Sequence, residues 1–415
     1  MSKILIHSIV FSPDGVSTAY LYNDIALKFK EAGHKVIVLT TTPNYNIVES
    51  EVKKQPLTKK FLGLYYLSDF NGIPVKHISQ KKYKNPTLRI LGFIYWHIIS
   101  FFLGLFEKDL DIIISPSPPL SIGLINIFLG KIKKTKVIYN VQEIYPDLLI
   151  QSGLKSKIFI SILKWMEKTV YNHSDVVTTI DQVFYNTIVD RFKDKSKLHV
   201  IPNFVDTDLY KPLELSKLTL DHTLFPPHTN KLKLMYAGNI GYAQDWKTLI
   251  HVAEKLLNEP IVFYVIGEGV LKDFLIRKIK EKNLSNIHVV PYQPRELIPQ
   301  ILAYSDLQFI FMTPQTEGHG FPSKVYTIMS CAKPLLVCSG KGTPIVNFLK
   351  DKSCAYLVTE KDENIKVESV IKTLQSINES ELTQKGKNGY SYILENYSKR
   401  VVTEEYLSLI NTLIV

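Results

Sequence analysis

Twice along this chain, short apolar runs bounded by turn residues alternate with stretches of helical spacing, and few folds accept that rhythm. "KILIHSIVF" (3–11) reads as a strand, and "SPDG" turns it. Then "VSTAYLYNDIALKFKEAGH" puts Ala19, Tyr22, Ala26 and Phe29 on one helical face, with Gly33 as the stop. "KVIVLTTT" (35–42) is the next strand, and others read at 110–115, 136–141 and 175–180. Continuous apolar strands joined by helices are the pattern of a parallel sheet covered on both faces. A second series follows "HVIPNFVDTDLYKP" (199–212), with strands at 232–239, 261–269, 287–292, 306–312 and 334–340. Pro202, Pro212, Pro226 and Pro227 mark the break. The sequence therefore predicts an α/β chain with two Rossmann-like domains, 1–200 and 201–390, and terminal helices over 391–415.

The 415 residues suit two domains. Residues 1–200 hold 26 Lys and Arg against 16 Asp and Glu, whereas the rest hold 24 against 23. Nearly all of the net charge of +11 thus lies in the first domain, much of it in "KKQPLTKK" (53–60), "KKYK" (81–84) and "KIKKTK" (131–136). Basic clusters serve anionic bilayers or nucleic acid, or are solvated faces. These flank "LRILGFIYWHIISFFLGLF" (88–106), which contains Arg89, His97 and Ser100. Three readings stay open for it: a helix lying in a membrane interface, a buried core helix, or a span. The N-terminus lacks a signal-peptide core, and Cys331, Cys338 and Cys354 show no paired spacing, so a reducing compartment is expected.

The ordered motifs "SPDGVSTA", "GHKV", "SPSPPLSIG", "QEIYPDLL", "HVIPNFVDTDLYKP", "YAGNIGYAQDW", "VIGEG" and "TEGHGFPSK…KP" span residues 4 to about 345. In this order they resemble the GT-B fold of nucleotide-sugar glycosyltransferases, specifically the retaining family four. "YAGNIGYAQDW" with "FPSKVY" is similar to a bacterial surface-polysaccharide subgroup that includes N-acetyl-L-fucosamine transferases. The resemblance implies two Rossmann-like domains facing across a cleft, with C-terminal helices returning toward the first. It implies a donor sugar on a nucleoside diphosphate, UDP above all, as substrate. No cofactor and no metal are expected. The implied acceptor is an undecaprenyl-pyrophosphate-linked saccharide at the inner face of the bacterial cell membrane, with the protein cytoplasmic and peripheral and no nucleic acid as partner.

The family pattern also assigns residues. Glu317 matches the first Glu of the donor motif. Val325 stands eight residues later where the spacing asks for the second, and an alignment through Met, Cys and Pro puts the ribose position on Thr327 instead. Asn239 and Gln244 occupy the places of an Arg and a Lys that compensate the diphosphate in relatives. That leaves Lys324, Arg295 and the helix start at Pro322–Ser323 as the expected diphosphate holders. Glu317, Lys324, Glu143 and Asp14 are the catalytic candidates. Gly15, Gly241, Gly267, Tyr292, Gly318, His319, Gly320 and Phe321 complete the expected donor contacts. Each has a plainer alternative: a turn acid at Glu317, a helix cap at Ser323, turn chemistry at Gly15 and Glu143, a surface loop at Tyr292 and Arg295. His7, His34 and His97 read as structural.

Two rivals stay open. One is a nucleotide-sugar epimerase or hydrolase on the same fold, acting on donor alone. The other is a non-catalytic nucleotide-sugar-binding partner.

Overall fold

The structure is a computed structural model and describes residues 1–47, 49–80, 85–151, 153–227, 230–317 and 322–414. The chain divides into two compact units, Met1–Asn203 with Val402–Val415, and Phe204–Val401.

The first unit opens with β1 (Lys3–His7), α1 (Ser17–Glu31), β2 (Lys35–Thr41), α2 (Glu49–Lys54) and β3 (Thr58–Lys60). Next come β4 (Tyr65–Phe70), β5 (Ile73–Ile78), α3 (Pro86–Leu105), β6 (Ile112–Pro116), α4 (Leu120–Lys133) and β7 (Lys136–Val141). It continues with α5 (Asp147–Gln151), α6 (Lys157–His173), β8 (Val176–Thr179), α7 (Gln182–Ile188) and β9 (Leu198–Val200). Its sheet runs β3-β4-β5-β2-β1-β6-β7-β8-β9. Among the described residues of this sheet, the β3–β4 and β4–β5 pairs are antiparallel and the others parallel. From β1 the chain steps one way to β2 and later the other way through β6, β7 and β8. Right-handed crossovers therefore put α3, α4 and α6 together on the face opposite α1.

The second unit holds β10 (Leu232–Ala237), α8 (Trp246–Lys255), β11 (Ile261–Ile266), α9 (Lys272–Glu281), β12 (Ile287–Val290), α10 (Ile298–Tyr304) and β13 (Leu307–Phe311). Then follow α11 (Lys324–Ser330), β14 (Leu335–Cys338), α12 (Pro344–Leu349), β15 (Ala355–Val358), α13 (Glu363–Ser376), α14 (Glu379–Asn396) and α15 (Lys399–Ile414). The order β12-β11-β10-β13-β14-β15 is parallel throughout, as the apolar runs require. Strand direction of travel reverses between β10 and β13, the place where open α/β sheets bind ligands.

The expected domain boundary at 200 lies three residues before the observed one. The terminal piece is shorter than the expected 391–415. Ile393 on α14 is buried in the second unit's core, and only 402–415 joins the first unit. There Val402, Tyr406 and Ile410 are buried, and Glu404 pairs with Lys28 at 2.5 Å. All three cysteines are buried free thiols.

The apolar stretch at 88–106 folds as α3, capped by Asn85, whose side chain accepts from Thr87 N at 2.8 Å. It is not a core helix. Thr87–Leu105 has a mean hydropathy of 1.7 and only 17% of it is buried, so by length and composition it could cross a membrane. Trp96 faces inward and is fully buried. The lysine cluster at 81–84 lies outside the described residues.

Candidate active site

The loops after β10 and β13 flank the reversal point of the second sheet. The loop after β10 is in turn held by main chain to the end of β11 and the loop that follows it. Gly238 N donates to Ile266 O at 2.9 Å, and Ile240 N donates to Glu268 O at 2.8 Å. Gly267 sits at φ +143°, and a Cβ there would meet Gly238 O at 2.0 Å. Only glycine fits that approach. Gly267 thus serves loop-to-loop packing, a different reason for glycine than the donor contact expected of it.

Lys324, the first residue of α11, reaches back into this loop. Its Nζ donates to Ala237 O at 3.2 Å and lies 3.9 Å from the centroid of the Tyr236 ring. A Cβ on Gly238 would meet that Nζ at 2.5 Å, so glycine again makes the room. The Tyr236 hydroxyl donates to Asn239 O at 2.8 Å and fixes the ring. Burial pushes the Lys324 ammonium down from its usual range to about 8. Among the described residues no carboxylate pairs with it. A half-buried cation supported by a ring face and one carbonyl is undercompensated, and an incoming anion would complete it.

The helix start itself contributes less than its sequence promised. α11 has seven residues, and the Ser323 side chain makes no capping bond. Val325 N and Tyr326 N donate to Pro322 O and Ser323 O at 3.0 and 3.1 Å. These two amides are therefore spent inside a tight turn, and the charge of Lys324 is what the turn presents. Val325 is corrected outright as a donor contact: its side chain is fully buried in the core. Thr327, the alternative ribose position, is half-buried.

Glu317 ends the described part of the loop after β13. Its Oε1 accepts from Gly340 N at 2.7 Å, in the "SGKGT" loop after β14. A Cβ on Gly340 would meet Oε2 at 2.7 Å. Upstream, Thr316 Oγ1 donates to Ala243 O at 3.2 Å. Glu317 and Lys324 thus bracket Gly318, His319, Gly320 and Phe321, which lie outside the described residues. Sequence reasoning passed over Tyr236 and Gly340. The signal for Gly340 was there: a glycine-bracketed loop just past a strand end of a parallel sheet.

The remaining donor candidates disperse. Asn239 is exposed and Gly241 O accepts from Trp246 Nε1 at 2.9 Å. Gln244 is 5% exposed, and its Oε1 has no partner among the described residues. It lines a cavity of about 560 Å³ with Tyr242, Trp246, Leu271, Phe274 and Thr313. Arg295 is engaged elsewhere, with Nε donating to the Tyr210 hydroxyl at 3.1 Å. Tyr292 is exposed.

In the first unit, Asp14 is 2% exposed, and its Oδ1 accepts from Asn44 N and Tyr45 N, both at 2.8 Å. A Cβ on Gly15 would meet Asn46 O at 2.5 Å. Both residues hold the loop after β1 against the segment 44–46. Glu143 follows β7. Its N–H and carbonyl both bond Ser117 Oγ, at 3.4 and 3.2 Å, and its carboxylate helps raise the Tyr145 phenol to about 12, after burial.

Residues 19–209 match the model of Glycosyltransferase Family 4, and residues 224–391 match that of Glycosyl transferases group 1. The chain is similar to WcaI of Escherichia coli K12, a protein named for colanic acid biosynthesis glycosyl transfer, with 21% identity over 79% of this chain and 81% of that one. It is also similar to the chitobiosyldiphosphodolichol beta-mannosyltransferase of Debaryomyces hansenii, with 24% identity over 63% of this chain and 59% of that one. Among solved structures, Anabaena Alr3699/HepE, crystallised with UDP and glucose, superposes with a TM-score of 0.70 over 99% of this chain and 100% of that one, at 14% identity.

Proposed function

We propose that this chain, whose two halves match the Glycosyltransferase Family 4 and Glycosyl transferases group 1 models, is a GT-B glycosyltransferase that moves a sugar from a nucleoside diphosphate, UDP above all, to a lipid-linked saccharide of a bacterial surface polysaccharide. The observation that carries this reading is Lys324: an undercompensated cation in a glycine-cut cup at the reversal point of the second sheet. In the reading, its ammonium neutralises the diphosphate as the bond to the sugar breaks. The loop ending at Glu317 receives the sugar, and the bond from Gly340 N orients that carboxylate.

The catalytic work is then orientation plus charge stabilisation of the leaving group. Retention of configuration, independence from metal, and an N-acetylated or deoxy sugar as the donor group come from the motif resemblance. A lipid-linked acceptor is supported by the name of the mannosyltransferase relative, and a surface-polysaccharide setting by that of WcaI. The exposed apolar helix α3 fits a peripheral position on the inner face of the membrane.

The test is a panel of UDP, GDP and dTDP sugars scored by thermal stabilisation. UDP sugars should raise the melting temperature of the wild type and not of Lys324→Met. Equal shifts in both would remove Lys324 from the donor site. Rapid release of free sugar or an epimer from donor alone would favour the hydrolase or epimerase.

A further inference from the structure

Three helices of the first unit lie side by side, α3 against α4 and α4 against α6. Glycines let them close up. A Cβ on Gly104 would meet Leu129 Cδ2 at 2.5 Å, and one on Gly123 would meet Val170 Cγ1 at 2.7 Å. The helices therefore form one layer, and their outward sides form one surface. That surface is apolar where it should be polar. On α6, Ile158, Ile162 and Trp165 recur at helical spacing and are 77%, 48% and 62% exposed. On α4, Phe128 and Ile132 stand one turn apart and are 66% and 56% exposed. On α3, Ile94 and Ile98 do the same at 48% and 50%.

The exposed charges on these three helices have one sign. The three helices contain a single acid, Glu167, which is buried and paired with Arg191. Their exposed cations, including Lys131, Lys157, Lys164 and Lys168, have no acidic partner among the described residues. Beside α3, bound through Tyr95 OH to Leu64 O at 3.3 Å, the turn at 61–63 holds Leu62 fully exposed next to Lys59 and Lys60.

We propose that the outer face of the α3–α4–α6 layer docks on an anionic lipid bilayer, with Trp165 and the α6 side chains Ile158 and Ile162 entering the interface alongside α3. An apolar patch this large marks an interaction site rather than solvent-facing surface. Lysines with no acids select an anionic, apolar occupant, and a bilayer of acidic phospholipid supplies both properties over a broad plane. A second copy of this chain would set lysines against lysines across a two-fold axis. The proposal rests on the reading of a lipid-linked acceptor and deepens it by naming the surface that meets the lipid.

The chain carries its own probe. Of its three tryptophans, Trp96 and Trp246 are buried and Trp165 is exposed. Vesicles of phosphatidylglycerol and phosphatidylcholine, added to the full chain without donor or acceptor, should shift Trp165 emission to the blue, and brominated lipid should quench it. Pure phosphatidylcholine should do neither. Trp165→Phe should abolish the signal while leaving vesicle co-sedimentation in place, and Ile158→Glu with Ile162→Glu should weaken co-sedimentation at least tenfold with the fold intact by circular dichroism. Quenching absent under conditions where the chain sediments with vesicles would overturn the proposal, as would no sedimentation at all, or concentration-dependent self-association that the Ile162→Glu change removes. Transfer to a soluble acceptor analogue is measured separately, so failure of docking leaves the transferase reading standing, and its own failure leaves docking standing.

Discussion

The ammonium of Lys324 rests on the face of the Tyr236 ring, 3.9 Å from its centroid, with Ala237 O as its one hydrogen-bond acceptor among the described residues. A lysine held this way is costly in the free protein. Removing its charge should therefore stabilise the fold and abolish function together. Lys324→Met is expected to lose roughly 100- to 1,000-fold in kcat, the scale seen when one stabilising donor leaves a transition state. It should gain about 1–3 kcal/mol of stability at pH 7, since burial lowers the group from 10.5 to about 8. Steady-state kinetics with denaturant titration checks both, and a variant that is active or less stable contradicts the assignment.

Nucleotide affinity should depend on pH through the same group. Because the free ammonium titrates near 8, it is charged at pH 7 and neutral at pH 9.5. Diphosphate binding should be flat below pH 7.5 and weaken by up to about tenfold per unit above 8. At pH 8.5 binding should take up a proton, which calorimetry in buffers of different ionisation enthalpy will read. The burial cost carries the opposite sign: it is present below 8 and relieved as pH rises toward 10.5.

Glu317 and Gly340 should act as a unit. Gly340→Ala puts a methyl against Oε2 and Glu317→Gln removes the charge that Gly340 N binds. Each should lower kcat, and the double variant should cost far less than the two single losses combined. Additive losses in a double-mutant cycle would separate the two residues.

Much of this arrangement was legible beforehand, and the gaps have physical causes. The parallel strands of both units announced themselves because strands buried on both faces are apolar without interruption. The antiparallel pair β4–β5 did not, because its burial is mixed and its residues include Ser68, Asp69 and Lys76. Its turn, Asn71-Gly72 with φ of +49° and +77°, is a hairpin signal that the helix-and-strand rhythm overshadowed. The cation at Lys324 was legible from its place after Pro322. What was not legible is that the Val325 and Tyr326 amides close on Pro322 and Ser323, so that the Lys324 side chain carries the charge the turn presents. The same limit explains Val325, whose fit to a motif spacing says nothing of which way a helical position faces.

Two histidines set the acid limit of the fold. Burial pushes His7 and His77 down to about 4. His7 Nδ1 bonds Asn126 Oδ1 at 2.7 Å, and His77 Nε2 bonds Ser68 Oγ at 2.7 Å. The unfolded chain binds these protons near 6.5 and the folded chain near 4, so stability present at pH 7 is lost as pH falls through that window. By pH 5 each should cost about 2 kcal/mol. Thermal melts of the wild type, His7→Gln and His77→Gln between pH 7 and 5 check this. Unchanged pH slopes in both variants would contradict it.

The position of a bound nucleoside diphosphate decides whether Lys324 serves the donor. A crystal structure of the chain with UDP should put a diphosphate oxygen about 3 Å from Lys324 Nζ, the spacing of a charge-assisted hydrogen bond. UDP bound elsewhere in the second unit, with Lys324 still meeting only Ala237 O and the Tyr236 ring, would contradict it.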